Sequence, residues 1–256
     1  MKRLLQAVFN EPISVNACAH IEALGFDGVR IDAQKVTSFK QMRDLLDPVL
    51  SAGLWPLVIV ADGNTCLWLP RGTAIEIRNE PDIEGPSPQS YRQLLIGMRE
   101  IEKAFGLELW GGCISNLIDR GFTYLRAIAD VLPDRVSVHW YPRRPWLYSS
   151  GHEGLTRGDE VELLRSIIGG RKFGVSEFGY HTAPVCRGWW FWKRCQALTD
   201  DQAAQSIKAE WGFWDAYGAD FACLYQLNDG PLNVPLDRYG IRRLDGTFKP
   251  QAFTLR

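Results

Sequence analysis

Short apolar runs of five to seven residues recur eight times along the chain, and an amphipathic stretch follows almost every one. The strand-like runs are Leu4 to Phe9, Gly28 to Asp32, Trp55 to Ala61, Ala74 to Asn79, Glu108 to Ile114, Arg135 to Tyr141, Lys172 to Phe178 and Asp220 to Gln226. Helix-like stretches lie between them at Ile13 to Leu24, Ser38 to Ala52, Ser87 to Phe105, Leu117 to Val131, Asp159 to Ile168 and Thr199 to Tyr217. Ser38 stands where an N-cap belongs, and Gly169-Gly170 where a helix should stop. Only about a dozen residues separate the third and fourth runs, so the third unit's helix is expected to be reduced or missing.

Eight βα units in 256 residues predict a single-domain α/β fold over 1–256, a (β/α)8 TIM barrel with a reduced third βα unit. A doubly wound sheet is the competing architecture. The polar residues decide between them: Arg30 and Asp32, Asp62, Asn79 and Glu80, His139 and Tyr141, Glu177, and Gln226 with Asp229 all fall at or just after strand ends. A barrel collects its chemistry at the C-terminal ends of many strands, and this distribution fits that rule.

With 29 basic and 30 acidic residues the net charge is −1, which gives no footprint for nucleic acid. No apolar run is long enough to span a membrane. Met1-Lys2-Arg3-Leu4-Leu5 imitates a signal peptide, but its apolar run ends at Asn10-Glu11, so a leaderless, cytoplasmic chain is expected, or a secreted one if a leader precedes this sequence. The oligomeric state has no signature here. Cys18, Cys113 and Cys223 sit in apolar segments as small hydrophobes, while Cys186 and Cys195 bracket an aromatic stretch and could close a loop. The cysteines show no metal-ligand spacing, and His20, His139, His152 and His181 are dispersed, so neither a metal nor another cofactor is expected.

Side-chain alternation assigns faces. Ser137, His139 and Tyr141 share one side of their strand, with Val136 and Val138 on the other. The same rule groups Glu76, Arg78 and Glu80 opposite Ile75 and Ile77, and it groups Phe173, Val175 and Glu177. Two strand-end carboxylates, Glu80 and Glu177, are thereby expected at one barrel mouth. A lone strand-end Glu usually forms a salt bridge, but two facing one pocket are the minimal equipment for glycosidic cleavage. A Schiff-base aldolase would need an inward strand-end Lys, and Lys172 opens its strand at the wrong end. Trp68, Trp146, Tyr148, Trp189, Trp190 and Trp192 lie in loops after strands three, six and seven, where aromatic planes suit the apolar faces of sugars. The residues 188–192 are expected to overhang the cleft, whereas Trp211 and Trp214 at helical spacing are core.

Ile75-Glu-Ile-Arg-Asn-Glu-Pro81 resembles the fourth-strand signature of the clan A glycoside hydrolases, the retaining (β/α)8 enzymes that include the family 5 cellulases and mannanases. The resemblance implies that Glu80 is the acid/base, that Asn79 holds the sugar 2-hydroxyl, and that Glu177 in Gly174-Val-Ser-Glu-Phe-Gly-Tyr180 is the nucleophile. His139-Trp-Tyr141 looks like the strand-six His-x-Tyr whose Tyr contacts the nucleophile, and Arg30 stands where family 5-like members carry a strand-two Arg. Tyr239-Gly-Ile241 and Asp245 to Pro250 are similar to the clan's C-terminal ending. The chain departs from family 5 in strand eight, where Leu224-Tyr-Gln-Leu-Asn-Asp229 lacks the usual Trp, leaving Tyr225 and Asp229 as substrate contacts beside Trp189 and Trp190. The implied activity is retaining hydrolysis of an oligo- or polysaccharide. Its alternative is a carbohydrate-binding barrel without turnover.

Overall fold

The computed structural model describes residues 1–7, 13–83, 85–117, 119–141, 156–187, 194–231 and 238–255. Eight parallel strands close into a barrel: β1 (Lys2–Gln6), β2 (Gly28–Asp32), β3 (Trp55–Val60), β4 (Ala74–Ile77), β5 (Glu108–Ile114), β6 (Arg135–His139), β7 (Lys172–Phe178) and β10 (Phe221–Leu224). Their order around the barrel is β1-β10-β7-β6-β5-β4-β3-β2. Between β7 and β10 an antiparallel hairpin of β8 (Val185–Arg187) and β9 (Arg194–Gln196) branches off, with Cys186 opposite Cys195 and disulfide-bonded to it. The barrel is therefore the (β/α)8 fold expected from the alternation.

Helices α1 (Val15–Ala23), α2 (Phe39–Ser51), α4 (Pro88–Phe105), α5 (Asp119–Ile128), α6 (Arg157–Ile168) and α7 (Asp200–Ala216) cover the outside. Their starts follow the sequence. Ser14, Ser38, Ser87, Thr156 and Thr199 each accept a backbone N–H from the first turn, and Thr156 with Asp159 and Thr199 with Gln202 complete capping boxes. The third unit keeps only the four-residue α3 (Gly63–Cys66) capped by Asp62. None of the described helices is long and apolar enough to cross a membrane.

Two apolar layers result. The larger lies between barrel and helices and contains Val29, Ile75, Ile77, Val136, Val138, Val175, Trp211 and Trp214. The smaller plugs the barrel near its strand starts with Leu4, Leu57, Ala74, Trp110, Phe221 and Cys223. Gly174 faces this plug, and a Cβ there would lie 2.3 Å from the Phe221 ring. Trp68, expected near the cleft, packs instead against the outer core.

Two departures from simple alternation shape the mouth. In β7, Val138 pairs with Val175 but His139 pairs with Glu177, so Ser176 is an extra, bulged residue. Phe173 and Val175 consequently pack under the helices, and the shared face expected for Phe173, Val175 and Glu177 does not exist. Glu177 turns inward because the bulge resets the parity. At the end of β4, Arg78 has φ 64° and Glu80 φ 45°, so the extended backbone on which alternation depends stops at Ile77. Arg78, expected inward with Glu76 and Glu80, is exposed for this reason.

Candidate active site

Arg30 is the hub of the upper barrel. Its side chain is fully buried on β2 and reaches five other elements of the mouth. Nε donates to Glu76 Oε2 at 2.5 Å, Nη1 to Gln6 Oε1 at 2.9 Å and to Glu177 Oε1 at 2.5 Å, and Nη2 to Asn79 Oδ1 at 3.0 Å. Nη2 also lies 3.3 Å from His139 Nε2 and 3.4 Å from Cys113 Sγ. Burial opposes the charge, yet Glu76 and Glu177 hold the guanidinium pKa well above its already high value. Arg30 is a permanent cation here.

Glu177 receives a second donor from the other side. Tyr141 Oη donates to its Oε2 at 2.6 Å, and His139 Nδ1 lies 3.5 Å away. Burial alone would raise the Glu177 pKa, but His139, Arg30 and Tyr141 together bring it below the usual carboxylate range. Tyr141 itself stays a phenol, since burial and the neighbouring Glu177 push its pKa well up.

Glu80 is placed differently. Its Oε1 meets His139 Nδ1 at 3.0 Å, and its side chain is 22% exposed where that of Glu177 is 5% exposed. Burial would lower the His139 pKa, whereas Glu177, Cys113 and Glu80 outweigh it and raise it; Nε2 faces the Arg30 guanidinium and Nδ1 faces Glu80. One carboxylate is thus ionised and immobilised, and the other faces the opening.

Backbone strain gathers at the same place. The Glu80 N–H donates to the Cys113 carbonyl at 3.1 Å, and Cys113 has φ 40° at a register shift in β5. Left-handed conformations of non-glycine residues cost of order 1–3 kcal/mol each, and they persist where the surroundings over-determine them. Asp82 pins the loop two residues on, accepting from both the backbone and hydroxyl of Ser115 at 2.8 and 2.7 Å.

The structure brings Arg30, Asn79, Glu80, His139, Tyr141 and Glu177 into one contiguous cluster. A carboxylate oxygen of Glu80, one of Glu177 and a ring nitrogen of His139 lie within 4.8 Å of one another. That spacing would also suit an ion, but Arg30 holds a permanent positive charge against Glu177 and His139, which opposes a second cation there. Tyr225, half-buried at the end of β10, joins Tyr141 and Tyr239 in an edge-to-face trio with ring centroids 6.3 and 5.6 Å from it. Its peptide bond to Gln226 is cis. Asp229, expected to contact the substrate, has a carboxylate that is 1% exposed and holds Lys249 at 2.8 Å and Arg238 at 3.4 Å, so its described contacts anchor the C-terminal segment. Trp189 and Trp190, with Trp192, Trp146, Tyr148 and His152, lie outside the described residues.

Three contacts were not singled out from the sequence. Gln6 follows the inward Leu4 by two residues, a parity signal that was present in β1. Glu76 belonged to the inward column but carried no assigned role. Cys113 gave no signal, because its inward position depends on the β5 irregularity.

Tyr141→Phe tests the electrostatics directly. Losing an O–H donor destabilises the charged form of Glu177, so its pKa should rise, and the Glu177 carboxyl titration read by carbon-13 NMR should move to higher pH by about one unit. A titration that stays in place would show that Arg30 and His139 alone set the charge state.

No protein-family model matches the chain, and no curated protein sequence matches it. Solved structures do. A family 17 β-1,3-glucanosyltransferase from Rhizomucor miehei superposes with a TM-score of 0.68 at 14% identity, over 97% of this chain and 95% of that one. A GH128 (subgroup II) endo-β-1,3-glucanase from Sorangium cellulosum gives 0.65 at 15% identity, over 99% and 98%. A family 39 glycoside hydrolase from the gut symbiont Bacteroides cellulosilyticus WH2 gives 0.64 at 16% identity over 96% of this chain, which spans 61% of that protein. At these identities the likeness is one of fold, and the fold is the (β/α)8 barrel that these glycoside hydrolases have in common with this chain.

Proposed function

We propose that the protein is a retaining glycoside hydrolase in which Glu177 attacks the anomeric carbon and Glu80 serves as acid and then base. The observation that carries this reading is the pair of unlike carboxylates at one mouth, each with an oxygen within 4.8 Å of the other. Retaining pairs stand at roughly 5–5.5 Å and inverting pairs at ~6.5–9.5 Å, because the latter must admit a water between carboxylate and sugar.

The steps follow from the contacts. Arg30, His139 and Tyr141 keep Glu177 ionised for attack. Glu80, the more exposed of the two, protonates the departing oxygen and later deprotonates the incoming water, with His139 orienting it. Asn79, whose carbonyl is fixed by Arg30 Nη2, turns its amide N–H toward the sugar 2-hydroxyl. Tyr225 supplies an aromatic wall, and Trp189 and Trp190, which fall between β8 and β9 in the sequence, are proposed as further sugar contacts. The Cys186–Cys195 bond favours an oxidising compartment over the cytoplasm expected from the N-terminus.

The test is the configuration of the first-formed product. Proton NMR of an early digest should show the anomer of the substrate's own configuration. The inverted anomer would overturn the double displacement, and binding without any new reducing end across a polysaccharide panel would establish a non-catalytic barrel. A β-1,3-glucan belongs first in that panel, since two of the similar structures spanning nearly the whole chain are named for activity on it.

A further inference from the structure

Glu76 is wholly buried on β4, one strand-end below the acid/base, and does not border the open mouth. Arg30 Nε is its partner at 2.5 Å, and its second oxygen, Oε1, makes no hydrogen bond among the described residues. Glu76 and Glu177 therefore grip the same guanidinium from two sides, through Nε and Nη1. Gln6, uncharged, shares Nη1 with Glu177. One cation is divided between two carboxylates, only one of which is placed to react.

We propose that Glu76 is a positioning residue that sets how much of the Arg30 charge falls on Glu177, and so tunes the reactivity of Glu177 from inside the barrel. With Glu76 ionised, part of the guanidinium's field is neutralised and Glu177 remains basic enough to attack. Without that charge Arg30 would serve Glu177 alone, stabilising the carboxylate too well for a nucleophile. Among the described residues the other titratable or charged groups around Glu177 are Glu80 after β4, Cys113 on β5, His139 and Tyr141 at β6 and Cys223 on β10. None of them touches the Nε side of Arg30, which is the side that Glu76 occupies.

The test removes and then restores one charge. Glu76→Gln keeps the shape and an acceptor for Nε but deletes the charge, and the Glu177 carboxyl should then titrate about one unit lower. This is read by carbon-13 NMR of glutamate-labelled protein, with Glu177→Gln assigning the resonance, and by the acid limb of kcat/KM moving down by the same amount. Gln6→Glu adds a carboxylate to Nη1 and should move both readings upward, while the double variant should return them toward the wild type. An unmoved titration in folded Glu76→Gln, or an upward one, overturns the proposal. If Glu76→Gln does not fold, Gln6→Glu decides, and its failure to raise the Glu177 titration overturns the proposal equally. The kinetic arm rests on the glycosidase reading above, but the NMR arm does not. Titrations that shift as expected in a protein without turnover would sink that reading and leave the role of Glu76 intact.

Discussion

Glu177→Ala is expected to lower turnover by on the order of 10⁵-fold, the scale of loss when the nucleophile of a cooperating unit is removed. The residue forms the covalent bond in the proposed mechanism, and Glu76, the other carboxylate on Arg30, is wholly buried on its Nε side and cannot take its place. The substitution also leaves a space lined by the donors that once served the carboxylate: Arg30 Nη1 and Tyr141 Oη. A small anion should occupy it. Azide with an activated glycoside is therefore expected to restore part of the rate and to give the glycosyl azide of inverted configuration, since one displacement has replaced two. Hydrolysis undiminished in this variant would remove the two-carboxylate mechanism.

Glu80→Ala should behave differently, because what it removes is a proton and not a bond. Substrates with poor leaving groups should lose on the order of 10²–10⁴-fold in kcat/KM, the usual contribution of general acid catalysis. An activated aryl glycoside, which needs little protonation, should still glycosylate Glu177 and keep most of its kcat/KM. Its kcat should fall, because the same residue is the base of the second step, and its KM should fall with it as the intermediate accumulates. Azide needs no base, so it should relieve that second step and yield the azide of retained configuration. The unequal settings motivate the assignment: Glu177 is gripped by Arg30 and Tyr141, whereas Glu80 meets His139 and is the more exposed. A retained azide from Glu177→Ala together with an inverted one from Glu80→Ala would exchange the roles.

Both expectations concern residues that were legible before any fold was known. Strand ends, parity and the Asn79-Glu80 pair pointed to Arg30, His139, Tyr141, Glu80 and Glu177, and the chain brings all of them together. Glu177 was reached by a rule that fails in its own strand. Parity placed it with Phe173 and Val175, yet those two lie under the helices and the extra Ser176 turns Glu177 inward. Asp229 misled for a related reason: position after a barrel strand marks the mouth, but Lys249, twenty residues further on, folds back and neutralises it.

What the sequence by itself determined is the architecture and the side of the barrel on which the polar strand-end residues gather. Apolar periodicity and helix caps are local properties, since they depend on which residues lie two, three or four positions apart, and they are written in the chain directly. What only the tertiary structure decided is the state of each group in the mouth. Register shifts in β5 and β7 placed Cys113 and Glu177, left-handed turns at Arg78 and Glu80 ended the alternation, and a single buried cation came to be shared by Gln6, Glu76, Asn79 and Glu177. Such states arise from pairing between strands and from charges brought together at low dielectric by elements far apart in sequence. Arg30 and Glu177 are separated by 147 positions, and the field of one on the other exists only once the barrel has closed.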